Sequence, residues 1–395
     1  MQATWRASRD RTPSTAGAAG VDGVTAADFK AKLKDNITAL QADLRADRHT
    51  FQRLRLAPVA KPSGGFRIIA VPTIRDRLLQ RCLLRHLEDD SRFTASSEVS
   101  YGFTKGRTLP DAQRAALNFR ESHPWVLQTD IIKFFDQIPR AEVEAIARTK
   151  IRSKVVSELV CKAINCELEK GSGRNIGLPE LNGIQVGRGL RQGMPLSPML
   201  SNLLLRRFDE ELQRRGLNVI RYADDIAVFS NSKAQCQDAL RLMQDALARL
   251  NLRIPDLEEN GKTKISEPSQ PSAFLGIEIR RGETGYKLCA PAGRLAEIEV
   301  EMSKLATIQE CFESRRDLGR LLRTLDSFVI GHRAAMAVLD DPSAFLGRLE
   351  AAKTKCIKSL LIEMLGSEAV RNLDEKRSAV LGLSPFPEKT KRRHH

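Results

Sequence analysis

Apolar residues recur at Phe29, Leu33, Ile37, Leu40 and Leu44, the three-to-four spacing of a helix with one buried face, and predict a helix over residues 28–48. Residues 14–23, ahead of it, are rich in Ala, Gly, Ser and Thr and are expected to form a flexible lead. Two short apolar runs, 54–59 and 66–71, flank Lys61-Pro62-Ser63-Gly64-Gly65 and read as strands around a tight turn. Helical spacing returns over 75–87. Residues 126–128 form a strand that runs into Asp130, 140–168 are mostly helical, 171–193 are a glycine-rich connection, and 198–216 are helical again. β-Prone runs at 219–222 and 226–229 enclose Ala223-Asp224-Asp225, which predicts a hairpin, with a helix over 232–250 after it. Residues 274–279 read as one further strand, 292–366 as mainly helical with short breaks, and 384–395 as a polar, basic tail. This order argues for an α+β body followed by a helical module, and no internal repeat is visible.

Composition adds a partner to this outline. A chain of 395 residues with 42% hydrophobic content can bury a core of two or three domains without disulfide staples. Its 64 Lys and Arg against 49 Asp and Glu leave a formal charge of +15, which favours a long polyanion, nucleic acid first of all. An anionic membrane would attract the same side chains, but the sequence has no long apolar span and no amphipathic anchor at either terminus, so no membrane partner is expected. Residues 1–11 are polar and basic and lack the apolar stretch of a secretory signal, which makes the cytoplasm the expected location. The seven cysteines (Cys82, Cys161, Cys166, Cys236, Cys289, Cys311, Cys356) are odd in number and scattered, as reduced thiols are. Cys161 and Cys166 are the nearest pair; without a His or Cys at a zinc-ligand interval they read as two positions on a helix.

Candidate chemistry gathers around three acids. Asp224 and Asp225 are adjacent at the expected hairpin tip, where like charges repel and neither the turn nor solubility requires both. A cation should offset them, and magnesium, which prefers oxygen ligands and one or two carboxylates beside substrate phosphates, suits the place. Asp130 is the natural third carboxylate, because it closes an apolar strand and precedes the hydrophobic run 131–135. Two ions bridged by such acids would clamp an in-line displacement, one activating a 3′ hydroxyl and the other neutralising the leaving pyrophosphate. That chemistry is nucleotidyl transfer.

The motifs carry a resemblance. Arg221-Tyr222-Ala223-Asp224-Asp225 resembles the catalytic box of reverse transcriptases, in the form found in group II intron proteins and other bacterial members. Gln128-Thr129-Asp130 through Asp136 is similar to the family's first metal-binding motif, and Gly189 through Asn202, reading GLRQGMPLSPMLSN, resembles the motif that positions template and incoming nucleotide. Further likeness runs upstream through Gly20-Val21-Asp22-Gly23, the Lys61–Arg67 and Val71–Arg77 segments and Tyr101-Gly102-Phe103-Thr104-Lys105-Gly106-Arg107. Downstream it runs through Gly261-Lys262-Thr263-Lys264 and Phe274-Leu275-Gly276, so that it covers most of the chain. The fold implied is an α+β right-hand polymerase: an N-terminal extension (1–50), fingers (51–125), palm (126–290, with some fingers elements), a helical C-terminal thumb (291–383) and a basic tail (384–395).

Roles follow from the resemblance, position by position. Asp130 and Asp224 would ligate the two Mg2+ ions, for which Mn2+ could substitute, with Asp225 in support and the Ile131 carbonyl as a further ligand. Phe135 falls where the family keeps the sugar gate that rejects a ribose 2′ hydroxyl, although a core aromatic would look the same. Lys61 and Arg67 would reach the triphosphate. Gln192 would touch the incoming nucleotide, Gly193 would let backbone approach it, and Lys262 or Lys264 would donate a proton late in the cycle. Pro195 and Pro198 stay open as plain loop residues before a helix. The partners implied are dNTPs, an RNA template and the complementary DNA product.

The sequence departs from intron proteins in lacking a Cys/His cluster for a nuclease after the thumb and in the residues around Gln192, and it lacks the signature motifs of retron enzymes. These departures resemble stand-alone bacterial reverse transcriptases of antiphage defence, and the resemblance implies a dedicated, structured non-coding RNA partner that serves as template or scaffold. The alternatives are a maturase that clamps structured RNA, which should have lost a metal ligand, and an untemplated or protein-primed polymerase.

Overall fold

In the computed structural model the described residues are 1–9, 18–61, 64–169, 178–257, 259–381 and 383, so the basic tail and parts of three expected loops lie outside them. The chain divides into two compact units, Met1–Glu267 and Pro268–His395. The sequence outline drew its palm–thumb boundary at 290/291.

The first unit opens with α1 (Gln2–Arg9), α2 (Ala26–Ala31) and α3 (Leu33–Arg45). The patterning did not predict α1. Its single apolar anchor, Trp5, is buried against Phe29 with ring centroids 5.2 Å apart, a tertiary contact that leaves no periodicity in so short and polar a segment. Nor are residues 18–20 a loose lead: Arg55 donates to the Ala19 carbonyl, Arg77 to the Ala18 carbonyl, and a Cβ at Gly20 would lie 2.6 Å from the Thr73 Cα. The rest of that segment, 10–17, lies outside the described residues.

Strands β1 (Arg55–Ala60) and β2 (Phe66–Val71) form a separate antiparallel hairpin, followed by α4 (Ile74–Asp89), whose start is capped by Thr73 accepting from the Asp76 amide, and α5 (Leu109–Ser122). Then come β3 (Trp125–Asp130), α6 (Phe134–Gln137), α7 (Arg140–Lys150), α8 (Lys154–Ile164), α9 (Ser197–Arg214), β4 (Asn218–Tyr222), β5 (Asp225–Ser230), α10 (Lys233–Ala248) and β6 (Lys264–Ser266). Cys161 lies on α8, whereas Cys166 lies just beyond its C-terminal residue; both are buried, and all seven cysteines are free.

The central sheet has the order β4-β5-β3-β6, antiparallel throughout. Alternation along β5 sends Ile226 and Val228 into the main core with Met243 and Leu247 of α10, while Phe229 stacks on Phe119 of α5 at 5.7 Å on the other face. Helices therefore cover both faces over part of the sheet, and the two inner strands are mostly buried.

In the second unit, β7 (Ser272–Phe274), β8 (Ile277–Arg281) and β9 (Tyr286–Cys289) form a three-stranded antiparallel sheet. The single strand expected over 274–279 is instead a hairpin: Leu275 and Gly276 both have positive φ (51° and 79°) and turn the chain between Phe274 and Ile277. Local β propensity is high on both sides of Leu275-Gly276, which hid the turn. Helices α11 (Arg294–Leu305), α12 (Ile308–Glu313), α13 (Leu318–Met336), α14 (Ser343–Leu365), α15 (Ser367–Arg371) and α16 (Glu375–Val380) follow. Ile298, Met302, Leu321, Leu325, Leu349 and Ile357 are buried along the facing stripes of α11, α13 and α14. Among the described residues no helix is long and apolar enough to cross a membrane.

Candidate active site

The acids meet because of strand register. Asp130, the last residue of β3, is the direct partner of Asp225, the first of β5, and Asp225 is in turn paired with Tyr222, the last of β4. Directly opposed residues of neighbouring strands project on the same face, so Tyr222, Asp225 and Asp130 form one rung across the sheet. Asp224 occupies the turn between β4 and β5, and its carbonyl accepts from the Ile131 amide at 3.2 Å, which joins the turn to the end of β3. Two like charges opposed on a sheet are destabilising by themselves.

The turn is held from beneath by a residue whose role the sequence did not disclose. Arg221 and Asp209 are both fully buried; Arg221 donates to the two Asp209 carboxylate oxygens at 2.7 and 2.6 Å. Arg221 also donates to the Ala223 carbonyl at 2.9 Å and to Asn202 at 3.0 Å. A planar guanidinium with several donors suits this fourfold task. Ala223 is in the left-handed region (φ 58°), and a Cβ at Gly102 would lie 2.5 Å from the Ala223 nitrogen, so the 99–103 segment is packed directly on the turn. Asp209 was legible in one respect: an acid between Phe208 and Leu212, inside the buried stripe of α9, needs a buried partner.

Electrostatics at the rung are those of crowded anions. Loss of hydration pushes the Asp225 carboxyl up to about 6, with the charges of Asp224 and Asp130 adding to it, although one side of Asp225 is open to solvent. Burial likewise raises Asp224, and the charge of Asp130 adds to that effect, while Arg67 and Lys262 act against it. Lys262 supplies the nearest counter-charge: its Nζ donates to Asp130 Oδ2 at 2.6 Å. The other oxygen, Oδ1, is buried and has no hydrogen-bond partner. Among the described residues no group of three or more His, Cys, Asp or Glu side chains forms a ready-made metal cage.

The remaining candidates line two adjoining segments. Phe135 is half-buried beside the fully buried Phe134, with ring centroids 5.3 Å apart, and its carbonyl accepts from the Leu190 amide at 2.7 Å. Gln192 is joined to β2, its carbonyl accepting from the Ala70 amide at 2.7 Å. Gly193 has φ 106°, and a Cβ there would lie 2.5 Å from the Ala70 carbonyl oxygen, so the close approach involves β2. Glu167 ties this wall together by accepting from Arg140 and Arg191, both buried, at 2.6 and 2.7 Å. Lys61 and Arg67 are exposed on the β1–β2 hairpin, with Arg67 near enough to act on Asp224. Lys264, on β6, pairs with Gln128 of β3 and is exposed, whereas Lys262 bonds an acid of the rung.

Comparison with known proteins decides the family. The profile of the reverse transcriptase (RNA-dependent DNA polymerase) family matches residues 59–279, from within β1 to within β8 and over more than half of the chain. The chain belongs to that family. This reverse transcriptase is accordingly an RNA-directed DNA polymerase with the α+β right-hand fold of its family. It is 26% identical to Protein YkfC of Escherichia coli K12 over 330 residues, 72% of this chain and 82% of YkfC. The retron Ec83 reverse transcriptase of E. coli is 26% identical over 180 residues, 44% of this chain and 52% of that enzyme. An uncharacterized 91 kDa protein in the cob intron of Schizosaccharomyces pombe is 26% identical over 179 residues, 45% of this chain and 21% of that protein. The matched region thus spans about half the retron enzyme and a fifth of the intron protein. Retron enzymes stand among the relatives although their signature motifs were not found in the sequence. Among solved structures, telomerase from Candida albicans in complex with a TWJ fragment of telomeric RNA is 12% identical, with 89% of this chain and 71% of that chain covered and a TM-score of 0.40, too distant to bear on the assignment.

Proposed function

We propose that this reverse transcriptase copies a dedicated, structured non-coding RNA into complementary DNA as a stand-alone enzyme of bacterial antiphage defence, by two-metal nucleotidyl transfer at the Tyr222-Asp225-Asp130 rung. The observation that carries the chemistry is the opposition of Asp130 and Asp225 with Asp224 beside them, a cluster of oxygen donors whose repulsion at neutral pH bound cations would relieve. The buried, unpartnered Oδ1 of Asp130 fits a hard divalent ion, since an acceptor without a donor in a desolvated place is costly. Asp130 and Asp224 would hold two Mg2+ ions, with Asp225 and the Ile131 carbonyl in support and Mn2+ as a substitute. When bound, the ions would acidify the primer 3′ hydroxyl and neutralise the departing pyrophosphate.

The chain's own residues would do the rest. Lys262, now neutralising Asp130, would be freed by the ions to turn toward the triphosphate, where an ammonium can donate a proton to the leaving group; Lys264 is the other candidate. Arg67 and Lys61, at the edge of the hairpin, would bind phosphate oxygens. Phe135 would occlude the sugar 2′ position and Gln192 would contact the nucleotide base or sugar. In this reading 1–50 is an N-terminal extension, 51–125 the fingers, 126–290 the palm and 291–383 the thumb.

Replacing Asp224 and Asp225 together by Ala is expected to abolish dNTP incorporation on a primed RNA while RNA binding persists; incorporation at the parent rate would overturn the assignment. Sequencing the nucleic acid that co-purifies with the protein from its host tests the partner. One enriched RNA with its complementary DNA supports the dedicated template. Enriched RNA with no DNA, even with an added primer, favours a maturase-like clamp, and DNA complementary to no bound RNA favours untemplated or protein-primed synthesis.

A further inference from the structure

The rung does not end at Tyr222. Beyond β4 the segment 99–101 runs alongside it, with Arg221 donating from its amide to the Val99 carbonyl at 2.9 Å and Tyr101 from its amide to the Arg221 carbonyl at 2.8 Å. Two residues beyond Tyr101 is Phe103, whose ring lies 6.5 Å from that of Tyr222, inclined by 41°. Phe103 thus lies beside Tyr222, at the end of the rung that Tyr222 forms with Asp225 and Asp130.

Two features set Phe103 apart from an incidental surface aromatic. Its φ of 56° is in the left-handed region, which costs a bulky side chain about 1–2 kcal/mol and which glycine would occupy freely. Its side chain nevertheless stands 52% exposed, so burial of the ring does not repay that cost. The backbone that imposes the conformation is itself pinned: the Gly102 carbonyl accepts from Asn202 Nδ2 at 2.8 Å, Thr104 donates to the Ser100 carbonyl at 3.1 Å, and Gly102 is packed against Ala223. Asn202 and Ala223 are also bonded by Arg221, so the residue that holds the catalytic turn holds the base of this aromatic as well. An exposed ring fixed at such cost beside a reaction centre is built to meet something that arrives.

We infer that Phe103, with Tyr222, forms an aromatic platform for the primer end of an RNA–DNA heteroduplex, contacting the nucleotide whose 3′ hydroxyl is presented to the carboxylates. This rests on the reading of the rung as the site of DNA synthesis. The primer end is the occupant because the 3′ hydroxyl must reach Asp225 and Asp130, and the nucleotide that carries it then lies over one end of their rung. At the Lys262 end an ammonium is already engaged; at the other end an exposed ring offers a π-face that tolerates any base. Phe103 is a binding residue in this arrangement and takes no part in proton or phosphoryl transfer.

The test measures the affinity of the full chain for a DNA primer annealed to an RNA template with a recessed 3′ end, alongside primer extension. Phe103→Gly, which suits the backbone, and Phe103→Asn, which tolerates it, are expected to melt no lower than the parent. Both should bind the recessed heteroduplex roughly 5- to 150-fold more weakly, the range for loss of one base–aromatic contact. The KM for dNTP at saturating heteroduplex should stay within about twofold, and Phe103→Trp should restore affinity. Parent-like affinity in both the Gly and Asn variants, or a loss that Trp does not restore, overturns the platform. Because affinity is read without turnover, the two readings fail separately: undiminished incorporation in the Asp224 and Asp225 variants sinks the assignment of the rung, whatever the Phe103 variants do to affinity.

Discussion

Asp225 carries a repulsion that is useful only when a cation is present. Its carboxyl is raised from 3.8 to about 6 in the folded chain, so the folded state holds that proton more tightly than the unfolded one. The associated stability is complete below pH 3.8 and is lost as pH rises through about 6. In chelator at neutral pH, Asp225→Asn should therefore stabilise the protein by about 1 kcal/mol, an amount discounted for the open side of the carboxyl, and raise Tm by about 2–4 °C. At pH 4 the difference should shrink toward zero. Calorimetry in the two buffers reads both numbers, and equal melting at pH 7 would mean that the carboxyl is not crowded. Phe135 belongs to the same scale: Phe135→Ala should raise rNTP relative to dNTP use by about tenfold or more, as single-nucleotide incorporation measures, and an unchanged ratio would move the gate to another residue. The three acids were readable because each broke a local rule, two adjacent charges in a turn and one at the end of an apolar strand. Asp209 broke a rule as well, as an acid inside the buried stripe of α9, but the partner that answers it could not be seen, since Arg221 reaches it from another element.

At the scale of elements, the β4–β5 turn owes its geometry to α9, through the Arg221–Asp209 pair. Truncating one member of a fully buried pair leaves the other uncompensated, and Arg221→Ala should cost about 3–5 kcal/mol. Urea unfolding measures this, and a loss below about 1 kcal/mol would show that water enters and replaces the guanidinium. The elements themselves were legible wherever periodicity was strong, as in α10, or where strand and turn residues alternated cleanly, as in β1, β2, β4 and β5. They were not legible where one long-range contact decided them. The first helix depends on Trp5 meeting Phe29, and the 272–281 hairpin depends on Leu275 accepting a left-handed backbone that its neighbours' β propensity does not announce. Register was also invisible, because nothing in a strand's own sequence says that residue 130 will stand opposite 225 rather than opposite its neighbour.

For the whole molecule, the formal charge of +15 makes binding to a nucleic acid sensitive to salt. If about six phosphates are neutralised, affinity for a primed RNA should fall roughly a thousandfold between 50 and 200 mM salt. Titrations at four salt concentrations give the slope, and a flat line would remove phosphate contacts as the main source of affinity. The order β4-β5-β3-β6 also has a consequence for when this enzyme can exist at all. The first carboxylate of the rung sits on the central strand, its opposing acid arrives with a strand made much later, and the lysine that bonds it is 132 residues further along the chain. A ribosome making this protein therefore releases the β1–β2 hairpin and Asp130 long before the partners that tame that charge, and the sheet is complete only after β6 has emerged. Premature termination ahead of Lys262 yields a fragment that lacks a member of the rung or its counter-ion, so no such partial product carries the complete carboxylate site.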